Sequence, residues 1–198
     1  MKRIVTILTE GFADWETALL NAVARGFYHT ETQFASPGGK PVTSSGGMKV
    51  VPDIAVDDID VDKLDALIVC GGAVWQTEQA PDVSGPVKAA HAAGKLVGGI
   101  CDGTVALART GLLDAIAHTS NGAGYLDPTG YKGKKHYRDV PHAVVADNVV
   151  TAPATAPVTF MAEVMRGIGL ADDNLEYYVG MHAAEHGEGS GKRAEKAA

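Results

Sequence analysis

The segment from Leu96 to Ala108, Leu-Val-Gly-Gly-Ile-Cys-Asp-Gly-Thr-Val-Ala-Leu-Ala, constrains this chain more than any other stretch. A short apolar run breaks at small residues and resumes at helical spacing, which reads as strand, tight turn and helix in that order. Such an elbow holds one side chain, here Cys101, in strained backbone geometry at the mouth of a crevice and over a helix N-terminus. Gly99 and Gly103 flank it because a Cβ would crowd the bend. The positive end of the helix dipole and unpaired backbone N–H groups there favour a thiolate. The competing reading is a buried core cysteine, the commonest fate of a free thiol. The flanking glycines and the strand-to-helix switch favour the elbow.

The rest of the chain repeats the same alternation. Residues 3–9 are β-branched and short and predict a strand, and residues 14–25 follow at helical spacing, with Trp15, Leu19, Ala22 and Val23 on one face. Phe27 to Ala35 supplies a second strand, Val42 to Val51 a small hairpin, and Ala66 to Cys70 a buried strand ending in Gly71-Gly72. Pro81 to Ala93 predicts a helix, 96–100 a strand, and 103–110 a helix stopped by Gly111. Residues 117–119, 144–145 and 149–151 are further strand candidates, and 158–168 a helix. Repeated strand–helix–strand units predict an α/β fold, a flavodoxin-like three-layer sandwich whose mostly parallel sheet is covered on both faces. Ligands collect at the carboxyl ends of such strands. Three glycine-bearing turns fall there, at Glu10-Gly11, at Gly71-Gly72 and at the elbow.

Length and composition narrow the class. The 198 residues suit one domain, expected over 1–184, with 185–198 as a flexible polar tail. The net charge of −7 argues against nucleic acid or an anionic membrane as partner. No apolar run approaches the roughly 18 residues of a membrane span. The first residues read as a strand rather than a signal peptide, so a cytoplasmic location is expected, and with it two free thiols, Cys70 and Cys101. Neither cysteine has neighbours at metal-ligand spacing, so no metal site is expected. Cys70 ends a continuous apolar run and reads as an inert core thiol.

Several other residues are candidates for chemistry. Glu16 lies just past the first strand's carboxyl end; beside a thiolate in a partly dry pocket its pKa would rise and it could donate a hydrogen bond to sulfur. Its alternative is a helix-start acid answering the dipole, and Asp14 is read as the helix cap. The backbone N–H groups of Gly72 and Asp102 suit an oxyanion hole, with Gly71 beside them; a purely structural turn is the alternative. Trp15 and Trp75 are expected to shape the pocket. His118, in His-Thr-Ser-Asn-Gly, faces the crevice or serves structurally, and the irregular segment 125–142, with His136 and His142, is long enough for a lid. No histidine stands out as a partner for Cys101.

Three segments together resemble the ThiJ/PfpI superfamily, which includes the Parkinsonism-associated deglycase and the intracellular PfpI-type proteases. They are Ile-Val-Thr-Ile-Leu-Thr-Glu-Gly-Phe-Ala-Asp-Trp-Glu-Thr, Leu-Ile-Val-Cys-Gly-Gly and Gly-Gly-Ile-Cys-Asp-Gly-Thr-Val-Ala-Leu-Ala. The resemblance runs over residues 3–170 and is closest to the class I glutamine amidotransferase-like branch. It implies Cys101 as nucleophile and Glu16 as the carboxyl that manages it. It also implies a homodimer, and requires neither organic cofactor nor metal. Two departures matter. Asp102 stands where the protease-like branch has histidine, and Asn121 where the deglycase-like branch has it. An amide leaving group needs a proton donor of suitable pKa, so peptidase activity is disfavoured. The amidotransferase-type His-x-Glu occurs only at His186-Gly187-Glu188, within the tail, and reads as chance. The expected function is a cysteine-dependent enzyme acting on a small electrophilic molecule, of hydrolase, hydratase or glyoxalase type. Asp102, His118 and Asn121 would orient water or substrate. The alternatives are a redox-responsive stress protein whose Cys101 is oxidised to sulfenic or sulfinic acid, or a relative that has lost catalysis.

Overall fold

The computed structural model describes residues 1–185. Nine strands run through it: β1 (Arg3–Ile7), β2 (Glu31–Ser36), β3 (Val42–Thr43), β4 (Lys49–Val50), β5 (Ile54–Ala55), β6 (Ala66–Val69), β7 (Leu96–Ile100), β8 (Val144–Ala146) and β9 (Val149–Ala152). Five helices connect or flank them: α1 (Asp14–Tyr28), α2 (Ser84–Ala92), α3 (Gly103–Thr110), α4 (Pro157–Gly167) and α5 (Asp173–Glu185). Seven strands form one sheet in the order β5-β2-β1-β6-β7-β9-β8, parallel throughout except for β8, while β3 and β4 form a separate hairpin.

The sandwich follows from the pleat. Successive side chains point to opposite faces, so Val5, Ile7, Leu67, Val69, Val97 and Val149 pack with Val87 and Ala90 of α2 and Val105 and Leu107 of α3. Ile4, Ala66, Ile68, Ile100 and Val150 pack on the other side, with Leu20, Val23 and Ala24 of α1 and Phe160, Met161 and Val164 of α4. Burial on both faces explains why β6 and β7 read as unbroken apolar runs rather than alternating ones. Each large aliphatic or aromatic side chain enclosed this way contributes roughly 1.5–3 kcal/mol.

Several expectations shift. Phe27 and Tyr28 extend α1 instead of opening β2; the helix ends at His29, whose left-handed φ of 51° lets its N–H close on Ala24 O. The face that α1 buries carries Glu16, Leu20, Val23 and Ala24, one position away from the Trp15–Leu19–Ala22 stripe, and Trp15 is 55% exposed. Asp14 is not the cap. Ala13 holds that position without a side-chain bond, and the Asp14 carboxylate instead accepts from the Ser44 hydroxyl and from the Gly46 N–H at 3.1 Å, tying the β3–β4 hairpin to α1. Residues 117–119 form no ladder, only an isolated bridge between His118 and Tyr137. Glu185, expected to open the tail, closes α5, and the rest of the expected tail, 186–198, with His186, lies outside the described residues.

Among the described residues no helix is long and apolar enough to cross a membrane. The carboxyl ends of β1, β6, β7 and β9 are neighbours in the sheet, and the segments that follow them meet on one side of the molecule.

Candidate active site

Cys101 follows directly on β7 and precedes α3, with φ of 55°, one of four non-glycine residues in the left-handed region among the described residues. A side chain held there is strained, and the surrounding packing has to enforce it. Gly103 does so by absence: a Cβ at that position would overlap the carbonyl of Val69 in the neighbouring strand, so only glycine lets the chain enter α3 this close to β6. Neither the Gly72 nor the Asp102 backbone N–H donates to another group among the described residues.

Glu16 reaches the thiol from the first turn of α1. It is fully buried; Oε2 accepts the Gly71 N–H at 2.9 Å, and Oε1 has no hydrogen-bond partner. Gly71 is required by this contact, because a Cβ there would collide with the Glu16 carboxyl and come within 2.8 Å of Cys101 Cβ. Burial pushes the Glu16 pKa up to about 7, while the Cys101 thiol and the Gly71 N–H beside it pull the other way.

Cys101 itself departs from expectation. Burial, the Glu16 carboxyl and Asp102 push its pKa up to about 12, and the Asn121 amide pulls against them. Helix-terminus stabilisation therefore does not by itself yield a free thiolate in this elbow. A charged Glu16 raises the thiol's pKa, so proton loss from Glu16 makes the thiolate harder to form.

Asn121 is placed with little freedom. Its Oδ1 accepts the Ala154 N–H at 2.9 Å, after β9, which turns Nδ2 onto Cys101 Sγ at 3.2 Å. The Trp15 indole N–H donates to Ala154 O at 3.4 Å, closing a rim around the same opening. Asp102 anchors a network that the sequence did not suggest. Its Oδ1 accepts from Gln76 Nε2 at 2.7 Å and from the Tyr125 hydroxyl, and Gln76 Nε2 also donates to the Tyr125 oxygen at 2.6 Å. Gln76 sits in a short 3-10 turn and Tyr125 in an irregular loop, 26 and 23 residues from Asp102. No periodic pattern marks such residues.

Two candidates stand apart from the thiol. Trp75 is fully buried in the core beneath α2 and α3, its indole N–H donating to Cys70 O at 2.9 Å, so it packs the core instead of walling the pocket. His118 is also buried, with Nδ1 on Ile116 O at 2.8 Å, Nε2 on the Tyr131 hydroxyl at 3.3 Å, and its ring edge-on to Tyr131 and Tyr137. Burial lowers its pKa. It serves the loop rather than orienting water at the site. Among the described residues no histidine hydrogen-bonds Cys101, Glu16 or Asp102, and no cluster of His, Cys, Asp and Glu has metal-holding geometry.

A family model for the DJ-1/PfpI family matches residues 2–167. The chain belongs to the DJ-1/PfpI family. Among solved structures, a DJ-1 superfamily protein from Agrobacterium tumefaciens, Atu0886, is 43% identical, with a TM-score of 0.89 over 94% of this chain and 100% of that one. Curated relatives include the uncharacterized protease YoaZ of Bacillus subtilis, 27% identical over 94% of this chain and 93% of that protein. Another is the glutathione-independent glyoxalase DJR-1.2 of Caenorhabditis elegans, 29% identical over 62% of this chain and 66% of that protein. DJ-1/PfpI relatives thus carry both protease and glyoxalase names, and a cysteine-dependent enzyme fits the family.

Proposed function

We propose that the chain is a cysteine-dependent enzyme acting on a small electrophilic molecule, with Cys101 as nucleophile and Glu16 as its proton partner. The observation that carries this reading is the strained Cys101 turn, φ 55°, set beside a fully buried carboxyl whose pKa is raised to about 7. For a carbonyl substrate, the Cys101 sulfur adds to the carbon and the C=O π pair moves to oxygen. The Gly72 and Asp102 N–H groups hold that oxyanion. The Glu16 proton transfers to it, leaving a neutral hemithioacetal and a Glu16 carboxylate. For a 2-oxoaldehyde that carboxylate then takes the proton from the hemithioacetal carbon and returns it to the neighbouring carbon, while the hydroxyl proton passes to that carbon's oxygen, giving a thioester. Water adds to the thioester carbon, the C–S bond breaks, and a 2-hydroxy acid leaves with the thiol restored. The Asn121 amide donates to sulfur while it carries charge.

Amide hydrolysis is disfavoured because His118 is engaged elsewhere and Asn121 has no proton of suitable pKa to give a leaving amine. The test is a panel of a small 2-oxoaldehyde, an isonitrile, a primary amide and a peptide. Turnover of the 2-oxoaldehyde or the isonitrile, lost in both Cys101→Ala and Glu16→Gln, is expected, with little or none of the amide or the peptide; turnover that survives Cys101→Ala overturns the reading. A second reading is favoured by the same thiol–carboxyl contact: a protonated carboxyl beside a half-buried thiol also suits a redox-responsive protein, whose Cys101 is oxidised by peroxide. Stoichiometric sulfinate formation with no turnover across the panel would select it. The homodimer and cytoplasmic location belong to this proposal through family membership, and light scattering checks the former.

A further inference from the structure

Two carboxyl groups, Glu16 and Asp102, act on Cys101, and no cation among the described residues pairs with either of them. Glu16 is buried with Oε1 unpartnered, and Asp102, only 8% exposed, is held through Oδ1 by Gln76 and Tyr125 while Oδ2 takes no hydrogen bond from the described residues. No Lys, Arg or His among the described residues makes a hydrogen bond or ion pair with Cys101, Glu16, Asp102, Gln76, Asn121 or Tyr125. The two donors on Oδ1 are neutral, so they fix the Asp102 carboxylate in place without cancelling its charge. At the rim, the exposed Trp15 offers an indole face, which attracts cations and is indifferent to neutral groups.

We propose that this wall makes the Cys101 site selective for neutral or cationic electrophiles and closed to anionic ones, with Asp102 as the specificity-determining residue. The inference rests on the reading of Cys101 as the reactive thiol. An anion approaching the half-buried sulfur meets the field of the Asp102 carboxylate on the adjacent residue, which is strong enough to act on the thiol itself. Simple carboxylate-bearing or phosphorylated carbonyl compounds are therefore excluded as substrates, and uncharged aldehydes, ketones or isonitriles and amine-bearing electrophiles are admitted.

Three alkylating probes of similar size test this without any known substrate: iodoacetamide, iodoacetate and 2-bromoethylammonium. Their rates at Cys101, followed by intact mass with Cys101→Ala as blank, are divided by their rates with 2-mercaptoethanol. Iodoacetate is expected to fall behind iodoacetamide by about tenfold or more after this normalisation, with no such penalty for the cation. Asp102→Asn should raise the ratio of the iodoacetate rate to the iodoacetamide rate several-fold; because Asp102 also raises the thiol's pKa, the variant's iodoacetamide rate rises too and serves as the internal standard. Because that change removes one charge from a chain of net charge −7, repulsion by the whole protein remains and the difference isolates Asp102. Asp102→Ser serves if the amide variant does not fold. Equal normalised rates for the three probes, or a penalty unmoved by both substitutions, overturns the inference and leaves the proposed function standing. Failure of all three probes to label Cys101 overturns both.

Discussion

The two cysteines sit at equivalent places, each directly after a central parallel strand, Cys70 after β6 and Cys101 after β7. They have opposite surroundings. Cys70 is fully buried, accepts from the Thr17 hydroxyl at 3.5 Å and donates to Ala13 O at 3.4 Å; burial pushes its pKa up to about 12. Cys101 is half-buried, strained, and faces an amide donor and a carboxyl. Both thiols are pushed to the same range, so acidity does not separate them. What separates them is that Cys101's neighbours can exchange a proton with it, whereas those of Cys70 cannot.

The largest expected contrast is between their alanine variants. Cys101→Ala should lower turnover by about a thousandfold or more. Cys70→Ala should leave it within a few-fold and cost about 1–2 kcal/mol of stability in urea melts. Equal losses in both would erase the distinction. Gly103→Ala attacks the elbow that creates it: a methyl driven into Val69 O should cost about 2–4 kcal/mol by denaturant unfolding, and wild-type stability would mean the turn is not held by that close approach.

Glu16→Gln separates acidity from catalysis. Removing its charge should make Cys101 alkylate faster with iodoacetamide, since Glu16 raises the thiol's pKa, and yet turn over more slowly, since the proton donor is gone. Its stability signature has a defined sign. The folded carboxyl titrates near 7 against 4.5 for the free group, so the native state binds the proton more tightly than the unfolded chain. Its burial carries no ionisation penalty at acid pH, and destabilises progressively as pH rises between these values, by about 3 kcal/mol once above 7. Glu16→Gln should therefore gain stability over wild type through that window; a pH-independent difference would place the raised pKa elsewhere. The smallest effect is expected for Asn121→Ala, which removes the amide donor to sulfur and should slow iodoacetamide labelling a few-fold as the thiol pKa climbs further.

The sheet and the elbow were legible because both are written locally. Unbroken β-branched runs, glycine turns and helical spacing over 103–110 depend on neighbours in sequence. Cys101 and Gly71 follow from that same local grammar; Glu16, which spacing alone leaves open between a helix-start acid and a thiol partner, is singled out by the family resemblance, and the structure brings the three together. What failed depended on contacts between distant segments. Asp14 looks like a cap until the 44–46 loop arrives to take its carboxylate. Trp75 lies four residues from Gly71, close enough to suggest a pocket wall, and only the packing of α2 and α3 over β6 shows that it turns into the core. His118 is adjacent in sequence to the loop bearing Asn121, but two tyrosines from the irregular segment enclose it. The Gln76–Tyr125–Asp102 network joins three segments with no shared pattern, and could be found only in three dimensions.

The ends of the sheet carry a separate consequence. Its two outermost strands are β5, with two residues, and β8, with three, the latter reversed against β9. A row of open backbone donors and acceptors is what lets one chain template another into a growing ribbon, and here each row stops within a few residues. Copies of this protein are thus denied the easiest route to polymerising strand by strand.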